Sequence, residues 1–169
     1  LRAYPDITHS ASCQFPVPDW DVAYALTLGR EPINPRPVDQ AVIFRHVVPP
    51  TVGFLAYSEG CHDDVNKAIW SALGWDPAGD VSEILREYSR YFVGERYTDR
   101  FAEGLFALER NWRGRLAENE QVEATLAHFQ GLEAAASPVD LRNWRFQQAL
   151  YRAYYDAYVR RRVRYETEL

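Results

Sequence analysis

Eight of the ten prolines in this 169-residue chain fall between Pro5 and Pro50; only Pro77 and Pro138 lie beyond. Proline lacks a backbone donor and breaks helix interiors. Residues past Gly74 are therefore free to form long helices, whereas the first part must be assembled from short elements and loops. The apolar spacing agrees with that division. Val65, Ile69 and Leu73 repeat on one face after Asp63 and Asp64, and Gly74 suits the end of that helix. "DVSE" (80–83) is a capping-box-like start to a helix that aligns Val81, Ile84, Leu85, Tyr88 and Phe92 and ends at Gly94. Phe101, Leu105, Leu108 and Trp112 mark a third helix, and Val122, Leu126 and Phe129 a fourth. Ser137 and Pro138 offer N-cap and first-turn residues for a long last helix, with Trp144, Tyr151, Tyr155, Tyr158 and Arg162 near one face.

The first part reads as strand, long loop, helix, strand. "LRAYPDITHS" is strand-like, although Pro5 argues against a central position. "VGFLAYS" is a continuous apolar run of the kind found in strands covered on both faces. Between them Pro37 suits a first helical turn. A strand, a crossover helix and a second strand make a parallel βαβ unit. The intervening loop, residues 10–36, has a length that commonly accompanies function. The expected fold is mainly α: a helical C-terminal domain over 63–169, preceded over 1–62 by a βαβ remnant with its long loop.

Charge and length narrow the partners. A net charge of −5 leaves no basic footprint for nucleic acid, and "RRRVR" (160–164) reads as the basic C-terminal end of a helix. No apolar run reaches the ~20 residues that span a bilayer. Cys13 and Cys61 are too few for a disulfide framework or a zinc site; two thiols are the simplest reading and a single disulfide the alternative. The chain opens on Leu1 and contains no methionine, which reads as a processed, trimmed or excerpted piece.

The polar residues gather where the two strands end, the place where parallel βα folds collect ligands. "DITHS" supplies His9, and "YSEG" supplies Tyr57, Ser58 and Glu59. The long loop adds Gln14, Trp20, Arg30 and Glu31. Sugars need charged hydrogen-bonding partners for their hydroxyls and aromatic platforms for their apolar faces, and glycosidic cleavage needs two carboxyl groups. Glu59 is the candidate catalytic carboxylate; His9, Gln14, Trp20, Arg30, Glu31 and Tyr57 are the candidate substrate-binding residues. Structural roles compete with each: Glu59 as acceptor for loop amides, His9 as a hydrogen-bonded structural histidine, Trp20 as packing for its loop. Helix capping accounts for Asp63 and Asp64. Glu59, His62, Asp63 and Asp64 lack the i, i+4 pairing of HExxH, so no metal is expected. "YSEG" is not a nucleophile elbow, no glycine-rich phosphate loop is present, and no cofactor is expected.

"GFLAYSEGCHDDVNKAIWSALGWDP" followed by "DVSEILREYSRYFVG" resembles the end of the catalytic barrel and the helical tail of α-glucuronidase and α-N-acetylglucosaminidase-like glycoside hydrolases. The matching stretches are "WSALGWDP" (70–77) and "EYSRYFVG" (87–94), with "YPDITHS" joining more loosely. The resemblance implies the last two strands of a (β/α)8 barrel, with the polar cluster at its catalytic rim. It also implies a carbohydrate substrate, a secreted or periplasmic parent, and a partner: the rest of the barrel, or another chain in its place. Six strands and the usual acid of the fourth strand have no counterpart here. Two strands cannot close a barrel, so this chain alone is expected to be inactive. The rival reading is a non-enzymatic helical domain that binds a protein through its Tyr/Trp-rich last helix.

Overall fold

The computed structural model describes residues 1–5, 7, 30–58 and 60–169. Among them six α-helices account for most of the chain: α1 (Pro37–Val47), α2 (Asp64–Trp75), α3 (Val81–Phe92), α4 (Thr98–Arg110), α5 (Gln121–Ala135) and α6 (Trp144–Glu168). Short 3₁₀ turns at Cys61–Asp63, Glu95–Tyr97, Leu116–Glu118 and Asp140–Arg142 separate several of them. Each of α1 to α3 packs on its successor or on the one after it, α4 packs on α5, and α5 on α6. The mainly helical expectation is met.

The apolar stripes converge as their spacing requires. Ile69, Trp70 and Leu73 of α2, Leu85 of α3, Leu105 and Leu108 of α4, Phe129 and Leu132 of α5 and Phe146 of α6 are almost fully buried. Each such side chain contributes roughly 1.5–3 kcal/mol relative to exposure. Phe101 meets Phe129 edge-on at 6.1 Å and lies 5.8 Å from Phe146, which welds α4, α5 and α6. The close approach of α4 to α5 needs Gly104: a Cβ there would stand 2.7 Å from Cζ of Phe129.

Helix ends follow the sequence in three places and depart from it in a fourth. Pro37 opens α1, and Asp80 caps α3 by accepting the Ser82 and Glu83 amides at 2.6 and 3.3 Å. Gly94, with φ of +142°, returns its N–H to the Ser89 carbonyl at 3.0 Å and stops α3. The last helix, by contrast, starts at Trp144, capped by Asn143 through the Arg145 amide at 3.0 Å. Ser137 turns instead to Asp140, donating its hydroxyl at 2.6 Å and its amide at 2.8 Å, and residues 137–142 become a separate turn.

The βαβ remnant is not formed. Among the described residues no strand is present; a parallel bridge joins Ala3 to Phe54, and Arg30 and Tyr57 are bridge residues as well. Ala3 donates to the Gly53 carbonyl at 3.1 Å and accepts from Leu55 at 3.0 Å, and Tyr57 donates to Pro5 at 2.9 Å. In a parallel ladder the next bond would run from the amide of residue 5 to the carbonyl of residue 55. Pro5 has no N–H to give, so the ladder is interrupted there and no continuous strand forms. This two-segment ribbon sits on α1 and α2 through three rings: Phe54 and Phe44 each lie 5.1 Å from Trp70 and 5.7 Å from one another.

Parallel pairing aims alternate backbone groups at opposite edges. Those of Arg2 and Tyr4 face away from residues 52–57, and those of Phe54 and Ala56 face away from residues 1–5; no described residue hydrogen-bonds them. The side chains alternate likewise. Ala3 and Phe54 turn toward the helices, whereas Tyr4, Leu55 and Tyr57 are 64%, 56% and 40% exposed.

Candidate functional site

The expected site divides between described and undescribed residues. Glu59, His9, Gln14 and Trp20 lie outside the described residues, as does Cys13. Arg30 and Glu31 are half-buried where the described chain resumes, and Tyr57 is exposed at the end of the ribbon.

Below Tyr57 the chain is fastened by buried polar groups. Gly60, with φ of +97°, turns it into the Cys61–Asp63 turn. Asp63 occupies the N-cap position of α2, yet its side chain makes no capping bond. The carboxylate is wholly buried; it accepts the Ser58 hydroxyl at 3.0 Å and pairs with Lys67 at 3.2 Å. Lys67 also donates to the Gly60 carbonyl at 2.7 Å, closing a loop from Ser58 to α2. Burial, with the Asp64 and Asp63 charges beside it, pushes the Cys61 thiol up from its ordinary value, which lowers its nucleophilic fraction.

Asp64 likewise leaves the cap. Arg145 of α6 grips it with two bonds, at 2.7 and 3.1 Å, and the Tyr88 hydroxyl donates at 2.6 Å. The Arg145 guanidinium rests over Phe92 and Trp144 at 4.0 and 4.2 Å. Burial and the neighbouring carboxylate drive the Tyr88 phenol well above its usual range. Capping therefore does not explain these two aspartates: Asp63 ties the turn to Ser58 and Lys67, and Asp64 ties α2 to α3 and α6. With the carboxylates so engaged, no group of three or more His, Cys, Asp or Glu side chains suited to a metal occurs among the described residues.

Two buried amides hold Ile7 and Asn34, which lie on either side of residues 8–29. Asn66 donates to the carbonyls of Ile7 and Asn34, both at 3.0 Å, and accepts the Arg36 amide at 2.8 Å. Gln40 also donates to Ile7, at 3.2 Å, and accepts the Trp70 indole N–H at 2.6 Å. Asn34 in turn donates to the His62 carbonyl at 3.3 Å. The chain entering the loop at Ile7, the chain leaving it near Asn34 and the turn after Tyr57 thus meet around Asn66. Sequence reasoning passed over Asn66 and Gln40, although each is a polar residue set in an apolar stripe, beside Ile69 and Trp70 or Phe44.

A second anchor comes from α6. Arg152, buried, donates to the Ile33 carbonyl at 3.0 Å and pairs with Asp156 at 2.8 Å, over the Trp112 ring at 4.7 Å. Asp156 also accepts from Asn111 at 2.9 Å and Trp112 at 3.1 Å. Burial raises its carboxyl above the usual range despite these partners. Glu109 of α4 caps α1 from outside, accepting the Val38 and Asp39 amides at 3.0 and 2.9 Å; burial raises it too.

The last helix does not present its tyrosines as one open surface. Tyr151 and Tyr155 are half-buried and pack edge-on at 6.3 Å, leaving Tyr158 exposed beside Tyr154. No helix among the described residues is long and apolar enough to cross a membrane. Comparison with protein-family models, with curated proteins and with solved structures gives no match.

Proposed function

We propose that the chain is the C-terminal portion of a glycoside-hydrolase-like protein, contributing one side of a carbohydrate site and a helical support for it. The observation that carries this reading is the parallel ribbon with both edges open. Parallel segments linked through α1 send the residues after Pro5 and after Tyr57 out at the same end. His9 and Glu59 follow those points in the sequence. The open backbone groups at Arg2, Tyr4, Phe54 and Ala56, with the exposed Tyr4 and Leu55, suit neighbouring strands on both sides and a packed interior. A (β/α)8 barrel supplies both. In this reading Glu59 acts on the glycosidic bond together with a carboxyl from the neighbouring strands. Tyr57, Trp20, Arg30, Glu31, Gln14 and His9 hold the sugar. The buried amides of Asn66 and Gln40 fix the two ends of the loop that carries most of them.

Saturation-transfer NMR on the chain tests the binding half of the proposal, with oligosaccharides containing glucuronic acid or N-acetylglucosamine. Transfer to sugar ring protons is expected from one of them, reduced in Tyr57→Ala and Arg30→Ala. Absence of transfer from every sugar, or transfer untouched by both substitutions, overturns the site.

A further inference from the structure

A helix that packs one side on a core is expected to turn a polar side outward, and α6 turns out tyrosines. Its buried side chains, Phe146, Ala149, Ala153, Asp156 and Arg160 among them, share one side of the helix. Away from that side, Tyr154, Tyr158, Arg161 and Tyr165 follow one another at spacings of four, three and four, so they stand in a single line. The three tyrosines are 40%, 56% and 64% exposed. Tyr151 and Tyr155, half-buried and packed on each other, lie outside this line. The line walls a groove of about 540 Å³ between α5 and α6, floored by the buried Leu126 and Ala157.

The charges around the groove cancel within the copy. Arg161 holds Glu123 of α5 through two bonds, at 3.2 and 2.6 Å, and Arg160 shares that carboxylate. Arg162 holds Glu166 at 2.7 Å, and Tyr154 donates to Glu133 at 2.7 Å. Arg160, Arg161 and Arg162 thus stand against Glu123, Glu133 and Glu166, and an identical surface meets no net repulsion. The Arg161 side chain is 62% exposed. A guanidinium gripped at its edge by a carboxylate keeps a flat face for an aromatic ring.

Read backwards, the line is its own complement. We propose that α6 pairs antiparallel with α6 of a second copy along Tyr154, Tyr158, Arg161 and Tyr165. Position 154 then meets 165 and position 158 meets 161. Tyr154 packs on Tyr165 of the partner subunit, and Tyr158 lies on the guanidinium of Arg161 of the partner subunit. A parallel pairing would set the two Arg161 side chains against each other. Spacings of four and three are those of a coiled-coil seam, tyrosine and arginine are the residues that dominate interface energetics, and the two-fold arrangement closes on itself. No side chain after Arg160 is buried, although α6 runs on to Glu168, roughly 12 Å further. Antiparallel pairing lays that free stretch along the anchored half of the partner helix. The inference does not rest on the carbohydrate reading.

Sedimentation velocity of the full chain, from low to high micromolar concentration and at two salt concentrations, provides the first test. A monomer–dimer equilibrium is expected, changing little with salt because the charges are paired within each copy. Tyr158→Ala and Tyr165→Ala should each weaken it about 10-fold, whereas Tyr91→Ala, at a more exposed tyrosine away from the seam, should leave it unchanged. Unchanged helical circular dichroism in each variant separates lost association from lost folding. A monomer at every concentration overturns the proposal. So does association indifferent to Tyr158 and Tyr165, or weakened as much by Tyr91→Ala. The second test reads direction, in a chain with Cys13 and Cys61 replaced by serine. A mixture of Tyr154→Cys and Tyr165→Cys chains should be joined by a short bismaleimide, and neither variant alone should be. Joining within either single variant, and none in the mixture, overturns the antiparallel seam.

Discussion

In α4 to α6 the charged pair Arg152 and Asp156 enters the core with partners inside the chain; in the ribbon of residues 1–5 and 52–57 alternate backbone groups meet no described residue. Asp156 meets Arg152, Asn111 and Trp112, whereas the backbone of Tyr4 and Phe54 meets no described residue. A helix satisfies its backbone locally, so the body needs only side-chain packing to complete it. A ribbon satisfies one edge per neighbour, so two segments always leave two edges open. The body is thus closed against itself and the ribbon is an interface in search of a surface. Gln40 of α1, Asn66 of α2 and Arg152 of α6 anchor the chain beside the ribbon by its backbone, at Ile7, Asn34 and Ile33.

The strongest way to break this contrast is to cut such an anchor. Arg152→Ala leaves Asp156 buried without its cation and frees the Ile33 carbonyl, a loss of about 3–5 kcal/mol. Arg162→Ala, at a solvent-exposed pair with Glu166, should cost no more than about 0.5 kcal/mol. Urea denaturation of both variants checks the gap. Equal small effects would show that the Arg152 network is not what closes the body.

Two glycines sharpen it. Gly104→Ala pushes a Cβ to within 2.7 Å of the Phe129 ring inside the body. The overpacking should outweigh the helix-propensity gain and leave a net loss of about 1–2 kcal/mol. Gly74→Ala brings a Cβ to 3.0 Å from the Phe54 ring edge, but Phe54 belongs to the ribbon, which has room to shift. That variant should stay within about 0.5 kcal/mol of wild type. Thermal midpoints of the two variants should therefore differ in size, and a large drop for Gly74→Ala would make the ribbon as rigid as the body.

Glu109 gives the contrast a pH dependence. Its carboxyl is raised by burial, the backbone amides of α1 only partly opposing. Between the ordinary glutamate value and the raised one the folded chain binds more protons than the unfolded chain. Stability from this group therefore falls as pH rises through that window. Glu109→Gln removes the slope. The stability of wild type relative to the variant should decline as pH is raised from below the ordinary glutamate value to above the raised one. A relative stability that rises instead would mean that the α1 amides, not burial, dominate.

How much of this was legible depends on where the partners lie. The positions of α2 to α5 are written in local spacing, and Asp80 could be recognised as a cap because the amides that donate to it are two and three residues away. Ser137 looked like the start of α6 on the same local grounds, but Asp140 captured it first. Asp63 and Asp64 looked like caps, and their actual partners include Lys67 one turn on and Arg145 at 81 residues' distance. Asn66 and Gln40 meet at Ile7, 59 and 33 residues away. No local pattern encodes such meetings beyond the presence of an amide in an apolar stripe. The ribbon was readable as apolar and parallel, but not that Pro5 would interrupt its ladder.

The smallest expected effect is the most direct measure of the open face. Tyr4 and Leu55 are large apolar side chains on the ribbon, 64% and 56% exposed. In a covered strand, replacing either by a small polar residue would forfeit the transfer energy of the buried atoms and leave a cavity, typically 2 kcal/mol or more. On an uncovered face neither term applies. Tyr4→Ser and Leu55→Thr should shift the unfolding free energy of the chain by no more than about 0.5 kcal/mol. Denaturant midpoints with an unchanged slope supply the check, since a changed slope would report a different unfolded state rather than a different face. A loss above about 1 kcal/mol for either variant would mean that residues of this same chain already cover Tyr4 and Leu55. The ribbon would then be a finished surface, and the reading of it as one edge of a larger sheet would fail with it.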